Sequence, residues 1–97
     1  VDDDPALYRA LSDATRRLIL DELAGRDRQT LFELCARLAG RHGITSTRQA
    51  ISQHLDVLAD AGLIRTERSG RYRFLSLDTT PLRRISARWP APEEGPP

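Results

Sequence analysis

The stretch TRQAISQHLDVLADAGLIRTERSGRYRFLS, residues 47–76, decides how this chain is read. Its first half places Ile51, Leu55 and Leu58 at i, i+4 and i+7, the spacing of one buried helical face. Arg48, Gln49, Ser52, Gln53 and Asp56 share the outward side. Ser46 or Thr47 supplies the N-cap, and Gly62 stops the helix after about Ala61. Residues 63–67 and 71–77 then alternate as two strands do, with Ser69-Gly70 as the turn. This hairpin carries Arg65, Arg68, Arg71 and Arg73. A rigid helix with a polar leading face, followed by a basic hairpin, suits a DNA groove and the phosphates beside it.

Upstream, PALYRAL (residues 5–11) reads as a short helix opened by Asp4 as N-cap and Pro5 at the first helical position. Asp13 caps a second helix over about 14–24, with an apolar stripe of Leu18, Ile19 and Leu23 and with Gly25 as its stop. GRDRQ is a polar loop. Thr30 and Glu33 make a capping box that opens a third helix over about 31–39, with Leu31, Leu34, Cys35 and Leu38 facing inward. Residues 40–45 form a turn that is long for a compact helix-turn-helix. Downstream, Thr80-Pro81 opens a last helix with Leu82, Ile85 and Trp89 on one face, and Pro90 ends it. The tail APEEGPP is expected to be disordered.

The order is therefore α-α-α-α-β-β-α. The expected fold is mainly α with a small β-hairpin: a single winged helix-turn-helix domain over residues 1–97, folded over about 5–90.

Composition narrows the function. At 97 residues the chain has room for one small domain with a modest core. No apolar run approaches the roughly 20 residues that cross a bilayer, so no membrane partner is expected. The acidic start VDDDPALYRAL lacks the apolar stretch of a secretory signal. A single cysteine excludes an intramolecular disulfide framework and fits a reducing, cytoplasmic setting. The absence of methionine, position 1 included, points to a trimmed or alternatively initiated N-terminus.

All 15 basic side chains are arginine. Residues 1–62 carry 8 Arg against 10 acids, whereas residues 63–92 carry 7 Arg against 2. A positive balance confined to one third of the chain is the footprint of a phosphate-binding surface, although charge alone fits a solvated face as well. No Gly-rich phosphate loop, HExxH motif or nucleophile elbow is present. Ser52 and His54, two apart on one helix, point in different directions. Neither catalysis nor a cofactor is expected.

Three segments carry a family resemblance: LSDATRRLILDELAG (11–25), QAISQHLDVLADAGLI (49–64) and ERSGRYRFLSLD (67–78). Together they resemble the ArsR/SmtB family of bacterial winged-helix repressors over roughly residues 5–89. The resemblance implies a homodimer built from the first and last helices, with the fourth helix in the major groove and the wing on the backbone or minor groove. It also implies a repressor that leaves an inverted-repeat operator when an inducer binds. Metal-sensing members carry Glu-Leu-Cys-x-Cys on the third helix, but here the run is Glu33-Leu34-Cys35-Ala36-Arg37, with arginine in place of the second thiol. The alternative site of that family needs Asp and His on the last helix, and residues 80–90 contain neither. No metal is expected. The inducer would be a small organic molecule or a thiol oxidant.

Thr47, Arg48, Gln49, Ser52, Gln53 and His54 are the candidate DNA-binding residues of the helix. Arg can bond guanine O6 and N7 in bidentate fashion, and Gln can do the same with adenine N6 and N7. His54 sits where the inward and outward faces meet, available to a phosphate or satisfied by a neighbouring backbone group. On the wing the candidates are Arg65, Arg68, Arg71 and Arg73, while Tyr72 is expected to pack rather than stack. His42 is placed in a solvated loop, and Cys35 is read as a small core hydrophobe. Leu7, Tyr8, Leu11, Leu82, Ile85 and Trp89 put much apolar surface on the terminal helices, which assigns them to a dimer interface. The competing function is a winged helix that binds proteins and has no DNA target. That reading wants apolar groups on the outward face of the fourth helix, and polar ones are there.

Overall fold

The computed structural model describes residues 4–92. The elements follow in the order α1 (Pro5–Leu11), α2 (Ala14–Gly25), β1 (Gln29–Thr30), α3 (Leu31–His42), α4 (Arg48–Asp60), β2 (Ile64–Ser69), β3 (Tyr72–Leu77) and α5 (Leu82–Arg88). Of the tail, residues 91 and 92 have no regular structure, and the rest of it lies outside the described residues.

Local chemistry sets most helix ends. The Asp13 carboxylate accepts the Arg16 N–H at 3.0 Å and so caps α2. The capping box at α3 is complete: Thr30 Oγ1 accepts from Glu33 N–H, and Glu33 Oε1 accepts from Thr30 N–H, each at 3.1 Å. Helix α4 ends in a Schellman motif. Gly62 has φ +76° and donates to the Ala59 carbonyl, while Leu63 N–H reaches the Leu58 carbonyl at 3.0 Å. Leu58 and Leu63 are both fully buried, which supplies the apolar contact this stop favours.

Four expectations change. Asp4 does not cap α1; its carboxylate takes the Arg84 Nε–H at 2.8 Å and ties α1 to α5. Helix α3 runs three residues further than its periodicity predicts, through Gly40, where an added Cβ would meet nothing within 4 Å. Its stop is Gly43 at φ +65°, so the turn before α4 is shorter than the sequence implied. The two-residue hairpin loop is Gly70-Arg71, because Ser69 pairs with Tyr72 and only Gly70 of the two takes positive φ, at +62°. Finally, Gln29-Thr30 is a strand and not loop. It pairs antiparallel with β3 and makes a three-stranded sheet in the order β1-β3-β2.

The core gathers Leu7 and Ala10 of α1, Ile19 and Leu23 of α2, Leu34 and Leu38 of α3, Ile51, Leu55 and Leu58 of α4, and Leu63, Ile64 and Leu75 from the sheet region. Each such Leu or Ile contributes roughly 1.5–3 kcal/mol on leaving water. Glu22 is buried with them and faces an imidazole and two guanidinium groups: His42 Nε2 at 2.8 Å, Arg41 Nε at 3.3 Å and Arg37 Nη1 at 3.9 Å. His42 thus belongs to the α2–α3 contact and not to a solvated loop. Beneath it, the buried Gln29 amide donates to the carbonyls of Glu22 and Arg26 and fixes β1 to the end of α2.

Candidate nucleic-acid interface

Thr47 opens α4 by accepting the Ala50 N–H at 3.1 Å, so its side chain serves the helix first. With that start fixed, Arg48, Gln49, Gln53 and Asp56 are exposed and Ser52 is half-buried, all on the side away from Ile51, Leu55 and Leu58. The polar face that the periodicity predicted is present as one surface.

His54 leaves that set. Arg16 donates from Nη1 to His54 Nδ1 at 3.2 Å, which makes Nδ1 an acceptor and places the ring proton on Nε2. Arg16 also caps the end of α1 by donating to the Arg9 and Ala10 carbonyls at 2.8 and 3.0 Å. Asp13 Oδ2 lies 3.9 Å from the same imidazole nitrogen. The Arg16 N–H bond, with lesser help from the Arg16 charge, holds the Asp13 carboxyl below its ordinary value. His54 is therefore satisfied by a side chain, at the junction of α1, α2 and α4.

The pleat sorts the wing arginines into two groups. Ile64, Thr66 and Arg68 pair with Leu77, Leu75 and Arg73, so Arg68 and Arg73 extend the core-facing side of the sheet towards α4. A cleft on that side is lined by Ser52 and Asp56 of α4 together with Thr66 and Arg73 of the hairpin. Arg65 and Glu67 lie on the back. There Arg65 sits 3.6 Å from Asp78, and Arg28 bonds Glu67 at 3.2 Å while stacking on Phe74. Asp78 is held low mainly by its bond from Thr80 N–H, with Arg65 adding to it. Arg65 is thus turned away from α4 and sits beside Asp78, unlike Arg68 and Arg73. Among the described residues, Arg48, Arg68, Arg71 and Arg73 form no ion pair.

Two aromatics stand in this region unexpectedly. Phe32 on the first turn of α3 is 69% exposed, and Tyr72 on β3 is 59% exposed instead of packed. Phe32 lies off the inward stripe of its helix, a signal that was present in the periodicity.

At the other end, Leu7 is only 1% exposed and belongs to the protomer core, so it has no surface for a partner. Tyr8, Leu11, Leu82 and Ile85 are partly buried, and Trp89 is 60% exposed. The Tyr8 and Trp89 rings lie 6.2 Å apart, with the Arg88 guanidinium 4.5 Å over the indole and bonded to the Tyr8 hydroxyl. They form one patch across α1 and α5.

A metal does not fit the third helix. Burial raises the Cys35 thiol above its ordinary value despite the nearby Arg48 charge, and Arg37 is drawn towards Glu22. Among the described residues no three His, Cys, Asp or Glu side chains stand close enough to share an ion.

A helix-turn-helix pair with a three-stranded wing, unpaired arginines on its helix side and a polar recognition face defines a winged-helix DNA-binding domain. A helix-turn-helix domain family matches residues 11–67. The HTH-type transcriptional regulator YuzN of Bacillus subtilis is 49% identical over 84 residues, which span 87% of this chain and 91% of that protein. The transcriptional repressor SdpR of the same organism is 37% identical over 76 residues, or 78% and 77% of the two chains. Among solved structures, an ArsR family transcriptional regulator superposes with a TM-score of 0.71 at 28% identity, covering 87% of this chain and 79% of that one. A possible transcriptional regulator for arsenical resistance gives 0.69 at 34%, covering 91% and 81%. The chain belongs to the ArsR/SmtB-type winged helix-turn-helix transcriptional regulators. Among the described residues, no helix is long and apolar enough to cross a membrane.

Proposed function

We propose that the protein is a homodimeric, sequence-specific repressor that acts in the cytoplasm by binding and without catalysis. Arg48, Gln49, Ser52 and Gln53 read an inverted-repeat operator in the major groove, and Arg68, Arg71 and Arg73 hold the adjacent backbone. The observation that carries this reading is the sorting of charge on the hairpin. Of the hairpin arginines, Arg68, Arg71 and Arg73 form no ion pair with a described residue and lie at the tip and on the α4 side, while Arg65 on the back is matched by Asp78. A repressor role accords with the name of SdpR. The dimer forms through Tyr8, Leu11, Leu82, Ile85 and Trp89, and the inducer is a small organic molecule or a thiol oxidant.

A salt-dependent gel shift on promoter DNA from its own operon, with a scrambled duplex alongside, tests the reading. Tighter binding to the promoter and a steep loss with salt are expected. No binding to either duplex at low salt would end it.

A further inference from the structure

The first turn of α3, the first turn of α4 and the start of β3 enclose an open cleft of about 430 Å³. Phe32, Arg48, Arg71, Tyr72 and Arg73 line it, and no carboxylate does. None of the three arginines forms an ion pair with a described residue. We propose that this cleft seats one strand of the DNA sugar-phosphate backbone, with Phe32 packed on a deoxyribose, Arg71 and Arg73 on the phosphates either side, and Arg48 at its edge reaching past the ridge to the bases.

The inference rests on the DNA-binding reading and deepens it. A helix in the major groove and a wing beside the minor groove have between them the one backbone ridge that separates those grooves. That ridge alternates an anion with an apolar sugar. The cleft offers the matching alternation, cations beside the exposed Phe32 ring, while the Tyr72 ring turns to the back of the sheet 6.3 Å from Phe74. The N-terminus of α3 is not the anion site, because Glu33 and Thr30 already satisfy each other there. Recognition falls to the guanidinium groups and ring faces. An acidic peptide would use the cations and leave the exposed Phe32 ring unexplained. An apolar protein surface would leave three desolvated charges.

Phe32 is then a positioning residue, and Phe32→Ala in the full chain tests it against the wild type and Phe32→Leu. The ring is mostly exposed, so thermal unfolding should be unchanged. Binding to promoter and scrambled duplexes should weaken alike, about fivefold to tenfold, as expected for losing roughly 50 Å² of apolar contact over the two subunits together. Because the lost contact is uncharged, the slope of log Kd against log salt should stay the same. Hydroxyl-radical cleavage should reveal one or two sugars in each half-site that the wild type protects and Phe32→Ala does not, with Phe32→Leu intermediate. Unchanged affinity and footprint in Phe32→Ala would overturn the proposal alone and leave the ring to a protein partner. A loss confined to the promoter would overturn it too, since a sugar contact carries no sequence information. Failure of the wild type to bind any duplex would sink this proposal and the DNA-binding reading together.

Discussion

Replacing Arg65, Arg68 and Arg73 one at a time by Ala separates the two faces of the wing. Arg68 and Arg73 are cross-strand partners on the α4 side, and Arg65 lies on the back beside Asp78. Each phosphate contact contributes about 0.9 to the slope of log K against log salt. In a dimer every substitution removes two contacts, so Arg68→Ala or Arg73→Ala should flatten the slope by about 1.8. Between 50 and 200 mM salt, a fourfold change, wild-type binding should therefore fall about 12-fold more than that of either variant. Arg65→Ala should keep the wild-type slope. Fluorescence anisotropy on a labelled duplex at four or five salt concentrations measures all three. If Arg65→Ala flattened the slope as much as Arg68→Ala, the wing would meet DNA edge-on or from behind, and the assignment of faces would be wrong.

Arg48→Ala or Gln49→Ala should weaken operator binding by about 1–3 kcal/mol with little effect on scrambled DNA, because these side chains stand in the first turn of the outward face. Equal losses on both duplexes in a gel shift would make them phosphate contacts. Trp89→Ala should shift sedimentation towards monomer at micromolar concentration and weaken operator binding, since the indole is 60% exposed beside Tyr8. A wild-type monomer under those conditions would refute the interface. Asp13 is an N-cap whose folded pKa is depressed, so its stabilisation is present above its unfolded value near pH 3.9 and is lost as pH falls through the lower folded value. Asp13→Asn keeps a good cap and should match the wild type at pH 7 while melting less steeply with acid; an identical acid profile would show that the charge is idle. Zn(II) or As(III) added to the protein should leave operator binding unchanged, and submicromolar binding lost in Cys35→Ser would contradict this.

Short-range chemistry made much of the fold legible. The Thr30/Glu33 box, the Asp13 and Thr47 caps and the stop after α4 each need only residues within one or two turns. The i, i+4, i+7 spacing of Ile51, Leu55 and Leu58 fixed which side of α4 would be polar. The errors have a common cause, dependence on distant partners. Gln29-Thr30 is too short to show alternation and is a strand only because β3 lies alongside. Gly40 resembled a stop, yet nothing crowds it, and the αL position falls at Gly43. Glu22 becomes buried only once α3 brings Arg37, Arg41 and His42 over it. His54 needed Arg16, 38 residues away, to settle its role. The turn of the wing was placed one residue early. Corrected, it moves Arg71 out of the ladder into the loop and makes Arg73 the partner of Arg68.

The bonds around Glu22 and around Arg16 have a mechanical consequence. The first joins α2 to α3, and the second joins the end of α1 to α2 and α4, so the helix-turn-helix is braced on both sides. A braced unit does not bend at its own turn; it swings as a lever. In the proposed dimer the fulcrum is the thin α1–α5 contact, where α5 buries no residue fully. With recognition helices about 34 Å apart, each lies about 17 Å from the two-fold axis, so a rotation of about 10° at that contact displaces a helix by about 3 Å. That is enough to take a guanidinium out of hydrogen-bond range of a base edge, so operator affinity in the proposed dimer depends on the angle set at that contact.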